Sequence, residues 1–159
     1  MTTGYRELKI CVGASAGGHM NQLLRLLEYV DCWPCEPSVY VTTLPELAER
    51  LGRRGRTYVI GECNRYHPLR GLVVLIRASA IVLKERPDVI VTTGSLPIAM
   101  MCAVAKLLGK KVVWIDSIAN VEQLSMSGSF VRYFADLFIT QWPGLAEKYE
   151  GVEFVGVIV

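Results

Sequence analysis

The sequence has little of several patterns from which a function is commonly read. No apolar run reaches the roughly 18 uncharged residues that a membrane-spanning helix requires. Basic residues form no tract longer than Arg53-Arg54 with Arg56 nearby, and the net charge of +2 gives nucleic-acid binding little support. The first residues, 1–7, are polar and charged, so no signal peptide is expected and the protein is predicted to be cytoplasmic.

Redox and metal chemistry also have little support. The chain has five cysteines, of which Cys32 and Cys35 form a C-x-x-C pair. A thioredoxin-like pair lies between a strand and the helix that it opens, whereas this pair follows a predicted helix and precedes a strand. A tetrahedral metal site needs a second pair of ligands, and none is suitably spaced. We therefore predict no metal site and no cofactor.

The standard nucleotide-binding motifs are missing, but a loop of small residues is present. Neither G-x-G-x-x-G nor a P-loop fits residues 13–18, which follow a predicted strand at 8–12 and open a helix near His19. Small residues and a helix N-terminus together favour an anion, because backbone N–H groups can approach it. Ser15, Gly17 and Gly18 are therefore candidate phosphate contacts beside an imidazole. The alternative is a structural turn whose glycines serve close packing.

Composition and periodicity predict one α/β domain over residues 1–159. With 52% hydrophobic residues and 20% charged residues the chain has enough apolar material for a sizeable core. Strands alternate with helices, which predicts a doubly wound, Rossmann-like parallel sheet. The predicted strands are 8–12, 38–42, 57–60, 88–92, 111–115, 135–140 and 154–159. The predicted helices begin near 19 and 45 and span 69–86, 97–108 and 143–149, with one or two short helices in 118–133 separated at 127–129.

Ligands of such sheets bind at the carboxyl ends of the strands, where three predicted loops converge: 13–19, 93–95 and 116–120. Thr93, Gly94 and Ser95 form a second small-residue turn at a helix start and are candidate phosphate contacts. Asp116 is a candidate base or a contact for a sugar hydroxyl. Its alternative role is to cap the helix that follows.

Two surfaces are candidates for contact with other molecules. Arg70, Arg77 and Lys84 are seven residues apart and lie on one line of a predicted helix; their apolar neighbours are Leu72, Val73, Leu75, Ile76 and Val82. This arrangement suits an anionic membrane surface, the alternative being an ordinary solvent-facing stripe. The apolar residues 155–159 predict either an edge that pairs with another chain or a last strand of the chain's own sheet.

Four groups of residues carry a resemblance to a known family. They are Ser15-Ala16-Gly17-Gly18-His19 with Gln22, then Thr92-Thr93-Gly94, then Ile115-Asp116-Ser117-Ile118-Ala119 running into Leu124-Ser125, and finally Phe154-Val155-Gly156-Val157. In order and spacing they resemble the amino-terminal half of the MurG-type glycosyltransferases of GT-B fold. The resemblance is closer to the family in which that half is a separate protein, with eukaryotic members in dolichol-linked oligosaccharide synthesis and bacterial members in capsule and exopolysaccharide synthesis.

The resemblance implies an acceptor-binding subunit whose partner subunit binds a UDP-sugar. The acceptor would be a polyprenyl-diphosphate-linked saccharide, and the protein would lie peripherally on the inner face of the membrane. Because no amino-terminal anchor is present, the bacterial branch is the expected match. Gly17, Gly18 and His19 would lie at the acceptor diphosphate or the reacting hydroxyl, with Thr93 and Gly94 alongside.

Two questions stay open from the residues alone. His19 is suited either to take a proton from the acceptor hydroxyl or to pair as a cation with a diphosphate. Asp116 stands where members of the family tend to have glutamate. The alternative to a transferase subunit is a stand-alone nucleotide- or phosphate-binding module.

Overall fold

A computed structural model of the chain describes residues 8–64, 66 and 68–158. Its centre is an entirely parallel seven-stranded sheet in the order β3-β2-β1-β4-β5-β6-β7. The strands are Ile10–Ala14 (β1), Val39–Thr42 (β2), Arg56–Val59 (β3), Val89–Thr92 (β4), Lys111–Ile115 (β5), Leu137–Thr140 (β6) and Glu153–Phe154 (β7). The central strands are continuous apolar runs because both of their faces are covered. The predicted fold class is confirmed.

Helices connect the strands. They are Gly18–Leu27 (α1), Pro45–Gly52 (α2), Pro68–Glu85 (α3), Leu96–Leu107 (α4), Met126–Val131 (α5) and Pro143–Lys148 (α6), with a short 3-10 turn at Val30–Cys32. Pro45, Pro97 and Pro143 lie in the first turns of their helices, where a missing N–H costs nothing and the fixed φ angle favours helix. The helix bounds predicted from sequence are thus correct to within a few residues for most elements.

The core has two parts, one on each face of the sheet. Ile10 and Val12 of β1 pack in the cluster that contains Met20 and Leu23 of α1. The alternate residue Cys11 belongs to the cluster formed with α3 and α4. Successive side chains of a strand point to opposite faces, so β1 contributes to both clusters. Burial raises the pKa of the Cys11 thiol to about 12, and this residue is a small apolar core residue as the sequence predicts.

Two predicted segments need correction. Of the one or two short helices predicted in 118–133 the structure has one, α5, and residues 127–129 lie inside it instead of separating helices; Gly128 packs closely against Asp116. The strand expected at 154–159 is reduced to the two residues of β7, which pair with β6 at the edge of the chain's own sheet. After it the backbone N–H of Ile158 donates to Oε1 of Gln141 (2.8 Å) instead of forming a ladder. Val159 lies outside the described residues.

An ion-pair network surrounds the buried carboxylate of Glu85 near the amino ends of β1 and β3. Glu85, at the end of α3, accepts hydrogen bonds from Lys9, Arg56 and Tyr58, and its side chain is almost completely buried. Burial by itself raises the pKa of Glu85, but the hydrogen bonds from Lys9 and Tyr58 and the charges of Lys9 and Arg56 outweigh it and lower the pKa to about 2. This network is therefore a structural clamp between β1, β3 and α3.

Candidate functional site

The strand order places β1 beside β4, with the connections from these two strands leaving in different directions. In doubly wound sheets ligands bind in the crevice at such a point, outside the carboxyl ends of the strands. The predicted loop at 13–18 is shorter in the structure, where β1 continues to Ala14 and only residues 15–17 connect it to α1, and the turn 93–95 follows β4. Both predicted loops therefore meet at this crevice, and the loop after β5 is next to them.

His19 joins the two loops. Its Nδ1 lies 2.6 Å from the carbonyl oxygen of Thr93, and the Thr93 hydroxyl in turn donates to the carbonyl oxygen of His19 (2.6 Å). A carbonyl oxygen can only accept, so Nδ1 carries a proton, and in the neutral ring Nε2 is then the nitrogen with the lone pair. His19 is half-buried, and these two hydrogen bonds fix the orientation of its ring.

Gly94 makes room for the imidazole. Its φ of 113° is a conformation that L side chains rarely adopt, and a Cβ built there would lie 3.0 Å from Cε1 of His19. The buried indole of Trp114 closes the other side, with Cζ2 at 3.4 Å. Glycine at this position is therefore required both by the backbone and by the packing of His19.

The other predicted phosphate contacts lie around the crevice. Gly17 precedes α1 with a φ of 78°, and positions 17 and 18 are exposed with no atom of the described residues within 4 Å of an added Cβ. The free N–H groups of the first turn of α1 therefore open towards solvent, as an anion site requires.

Ser15 and Ser95 line a polar pocket of about 310 Å³ at the same edge of the sheet. The full lining is Ser15, Thr43, Glu62, Cys63, Asn64, Arg70, Ser95, Leu96 and Pro97. Ser95 has a φ of 108°, and its Oγ is buried without a hydrogen-bond partner among the described residues. A strained residue with an unsatisfied buried hydroxyl is common where a ligand supplies the missing partner.

Sequence reasoning missed Thr43 and Glu62 and placed Arg70 only on a membrane surface. The Thr43 hydroxyl accepts from the N–H of Ala16 (3.4 Å) and donates to Glu62 (3.3 Å), so it ties the loops after β1, β2 and β3 together. Their position in the sequence could have identified Thr43 and Glu62, because both follow strands whose carboxyl ends lie at the same edge of the sheet as that of β1.

Asp116 is buried, and both of its carboxylate oxygens are occupied. Oδ1 accepts from the Trp114 indole (3.1 Å) and the Ser125 hydroxyl (2.6 Å), while Oδ2 accepts from the Ser125 N–H (2.8 Å) and the Asn120 amide (3.3 Å). The residue that caps α5 is Ser125, which accepts from the N–H of Gly128. Asp116 thus holds the cap and the loop 116–125 in place.

A chain of buried amides connects α1 to that loop. Gln22 donates to the Ser117 hydroxyl (3.3 Å) and accepts from Gln141 (2.7 Å), which also donates to the carbonyl oxygen of Asp116 (3.0 Å). Buried polar groups that satisfy one another fix the relative positions of their elements. The network therefore fixes the loop after β5 relative to the helix that carries His19.

The solvent-facing side of α3 is apolar. Its buried residues, among them Val74, Ala78 and Val82, share one side of the helix, so Val82 does not flank the basic residues as expected. The opposite side, which we call the outer face of α3, consists of the exposed residues Leu69, Leu72, Val73, Ile76 and Leu83. Arg70, Arg77 and Lys84 are all exposed along one border of it. In the part of the chain that the structure describes, no helix is long and apolar enough to span a bilayer.

The C-x-x-C pair follows α1 and precedes β2, as the sequence predicts. Cys32 is exposed, and the half-buried Cys35 donates from its thiol to the carbonyl oxygen of Leu8 (2.9 Å). Among residues 8–64, 66 and 68–158, no group of three or more His, Cys, Asp or Glu side chains is placed to hold a metal ion.

Comparison with solved structures identifies the fold. The chain is similar to MurG of Acinetobacter baumannii, with a TM-score of 0.75, 16% identity and coverage of 93% of this chain and 45% of that chain. It is also similar to UDP-GlcNAc 2-epimerase of Methanocaldococcus jannaschii, with a TM-score of 0.69, 16% identity and coverage of 94% and 46%. The chain thus spans about half the length of these proteins. The fold is that of one Rossmann-like half of a GT-B structure.

The family follows from the sequence. Residues 53–158 match the family described as "Oligosaccharide biosynthesis protein Alg14 like", and the chain belongs to this family. It is 42% identical to the UDP-N-acetylglucosamine transferase subunit ALG14 of Mus musculus, over 99% of this chain and 86% of that protein. It is 29% identical to the subunit of that name from Yarrowia lipolytica, over 95% and 81%.

These relatives confirm the predicted resemblance and the prediction of a glycosyltransferase subunit. They do not support the expectation of capsule or exopolysaccharide synthesis, because none of the names reported mentions either process. They also give no support to the bacterial branch as the better match, since the two relatives come from a mammal and a fungus.

Proposed function

We propose that the chain is the acceptor-binding subunit of a two-component glycosyltransferase that moves GlcNAc from UDP-GlcNAc to a polyprenyl-diphosphate-linked saccharide. The contact between His19 and Thr93 carries the proposal, because it orients a basic ring nitrogen at the crevice where ligands of such sheets bind. The relatives are named as subunits of a UDP-N-acetylglucosamine transferase, which supports UDP-GlcNAc as the donor and a complex with another subunit. The acceptor class follows from the resemblance of the motifs.

In the proposed complex, the acceptor diphosphate lies at the two small-residue loops. The exposed N–H groups at the start of α1, the unpaired Ser95 hydroxyl and the Arg70 guanidinium at the polar pocket are all donors suited to phosphate oxygens. Glu62 at the same pocket carries a negative charge, and its hydrogen bond from Thr43 holds it to one wall. Thr93 and Gly94 contribute by holding His19 and leaving room beside it.

In the transfer step a hydroxyl of the acceptor saccharide attacks C1 of the GlcNAc residue. The new C1–O bond forms as the bond from C1 to the diphosphate breaks, UDP leaves, and the hydroxyl proton passes to Nε2 of His19. A base positioned within hydrogen-bond reach typically contributes roughly 10²–10⁴ in rate. Asp116 does not contact the acceptor in this mechanism; it positions the loop after β5 through Ser125 and Asn120.

A separate subunit binds the nucleotide-sugar. This is supported by the names of the relatives, each of which is a subunit of a UDP-N-acetylglucosamine transferase. The exposed loop edge of the sheet, with His19 and the polar pocket, is the surface that faces the partner across the catalytic cleft. Transfer therefore requires a hetero-oligomer.

The outer face of α3 serves as the peripheral membrane contact on the cytoplasmic side. An apolar helix face bordered by Arg70, Arg77 and Lys84 suits insertion at the boundary of an anionic leaflet. Arg70 lines the polar pocket as well. The pocket is therefore close to the surface from which a lipid-linked acceptor arrives.

Reconstitution with a donor-binding subunit tests the proposal. We expect the purified pair, and neither chain alone, to transfer labelled GlcNAc from UDP-GlcNAc to a polyprenyl-diphosphate-linked saccharide. His19→Gln in the pair should lower kcat by at least about 100-fold with little change in KM. Arg25→Gln, on the exposed side of the same helix, is the matched control and should leave both constants unchanged.

Turnover by this chain alone would contradict the two-subunit mechanism. An increase confined to KM in His19→Gln would contradict the proton transfer and assign His19 to the diphosphate instead.

A further inference from the structure

A second, apolar groove lies beside the polar pocket and is used by nothing in the mechanism. It measures about 520 Å³ and is formed by the loop after β3, the start of α4 and one side of α5. Its lining is Cys63, Asn64, Tyr66, Leu96, Ala99, Met126, Ser127 and Phe130. Each of these side chains is uncharged, and the volume is in the range of roughly 300–1,000 Å³ usual for ligand sites.

The groove continues directly from the polar pocket. Cys63, Asn64 and Leu96 line both cavities. A molecule that occupies both must therefore be polar at one end and apolar at the other. Such a molecule is an amphiphile whose anionic group lies by Ser95 and Arg70 and whose hydrocarbon part lies over α5.

Two exposed apolar side chains of α5 form one wall of the groove. Met126 and Phe130 are four residues apart and so share one side of α5, and the two are 76% and 60% exposed. The Phe130 ring contacts Phe134 edge to face, with centroids 5.4 Å apart, which orients it. On the opposite wall the N–H of Tyr66 donates to Oδ1 of Asn64 (3.0 Å), and Tyr66 is 71% exposed.

Another cavity borders the polar pocket, but its chemistry is different. It lies between the segment after β3 and α3, measures about 290 Å³, and includes Glu62, Arg70 and Arg77 in its lining. Its volume is little more than half that of the groove over α5. The uncharged and larger groove over α5 is the better match for an extended hydrocarbon.

We infer that the groove over α5 binds the first isoprene units of the acceptor's lipid chain, with the diphosphate held in the polar pocket. This inference rests on the proposed function, because it takes the isoprenoid diphosphate from there. It assigns Tyr66, Leu96, Met126 and Phe130 to substrate binding. The acceptor is then recognised by its lipid as well as by its saccharide.

Binding of farnesyl diphosphate and methyl diphosphate to the full-length chain tests the inference without any transfer reaction. We expect farnesyl diphosphate to bind at least about tenfold more tightly, which the burial of two methylene groups is enough to supply. Met126→Gln and Phe130→Gln should each remove most of this difference and leave methyl diphosphate binding unchanged. Leu107→Gln, at the exposed end of α4, is the control and should change neither.

Phe130→Gln removes the contact with Phe134 and can loosen α5, so Met126→Gln, which has no such contact to lose, is the decisive variant. Equal binding of the two diphosphates would overturn the inference. So would a farnesyl preference that survives Met126→Gln and is lost in Val73→Gln, because the hydrocarbon would then lie in the cavity beside α3. Both results leave transfer by the reconstituted pair intact, whereas failure of the proposed function appears as absence of transfer with every acceptor.

Discussion

Replacing Gly94 by alanine tests whether the turn after β4 holds the imidazole of His19. An added Cβ would lie 3.0 Å from Cε1 and 3.1 Å from Nδ1 of His19, and 3.4 Å from Cζ2 of Trp114. The indole is completely buried, so the half-buried imidazole must give way by a few tenths of an ångström. This movement disturbs the hydrogen bond between Nδ1 and the carbonyl oxygen of Thr93.

Two costs add in the folded state of Gly94→Ala. Alanine at a φ of 113° is strained by roughly 1–2 kcal/mol. Loss of the aligned hydrogen bond from His19 adds about 1 kcal/mol. We therefore expect the free energy of unfolding to fall by roughly 2–3 kcal/mol. The transfer rate of the reconstituted pair should fall by about tenfold or more, because small misplacement of a catalytic group is costly.

Gly109→Ala is the matched control. Gly109 follows α4 with a φ of 71°, and no atom of the described residues lies within 4 Å of its added Cβ. Urea unfolding followed by tryptophan fluorescence should show a loss of roughly 1–2 kcal/mol for this variant, and transfer should stay at the wild-type rate. If Gly94→Ala retains the wild-type kcat while both variants are folded, the imidazole is not positioned by this turn and the reasoning fails.

Three further outcomes follow from the described contacts. The pKa of Glu85 is lowered from 4.5 to about 2, so its contribution of about 3 kcal/mol to the free energy of unfolding is complete above pH 4.5 and is lost as the pH falls towards 2. In urea unfolding between pH 7 and 2, the free energy of unfolding of Glu85→Gln should therefore depend less on pH than that of the wild type. The same pH dependence in both proteins would contradict a stabilising role of the Glu85 network. Asp116→Asn should lower the free energy of unfolding by roughly 1–3 kcal/mol, because the amide NH2 of asparagine cannot accept and leaves at least one buried donor without a partner. Wild-type stability in a denaturant titration would refute this. Ile76→Glu should reduce sedimentation of the protein with phosphatidylglycerol vesicles at least about tenfold. Leu107→Glu alters a residue that is 88% exposed at the end of α4 and should have no effect. An equal loss in both variants would show that α3 is not the membrane contact.

The elements that could be predicted from sequence are those whose signals are local. Residues 111–115 form a strand with the predicted bounds, because a β-branched and aromatic run between Gly109 and Asp116 has few alternatives. The proline of α2 and the glycine loop before α1 mark helix starts by the same local chemistry. The convergence of the three loops could also be predicted from sequence, because alternating strands and helices imply a parallel sheet in which the carboxyl ends of the strands lie at one edge.

The elements that could not be predicted depend on contacts distant in the chain. Gly128 looked like a helix break, but its missing side chain makes space for the carboxylate of Asp116, and α5 continues through it. Residues 155–158 looked like a strand, yet the amide of Gln141 takes the N–H of Ile158 and the ladder ends at Phe154. In both cases a polar side chain from another element outweighed local propensity.

The sequence by itself determined the fold class, the family and the pairing of His19 with a small-residue loop, because periodicity and motif order are properties of neighbouring residues. Only the tertiary structure decided that the carbonyl oxygen of Thr93 orients that imidazole and that the outer face of α3 is apolar. It also decided that the carboxylate of Asp116 accepts hydrogen bonds from the loop that follows it. It also brought Thr43, Glu62 and Arg70 to one pocket from three separate segments. The physical reason is that strand order and helix orientation are set by burial across the whole sheet, which no local stretch of sequence contains.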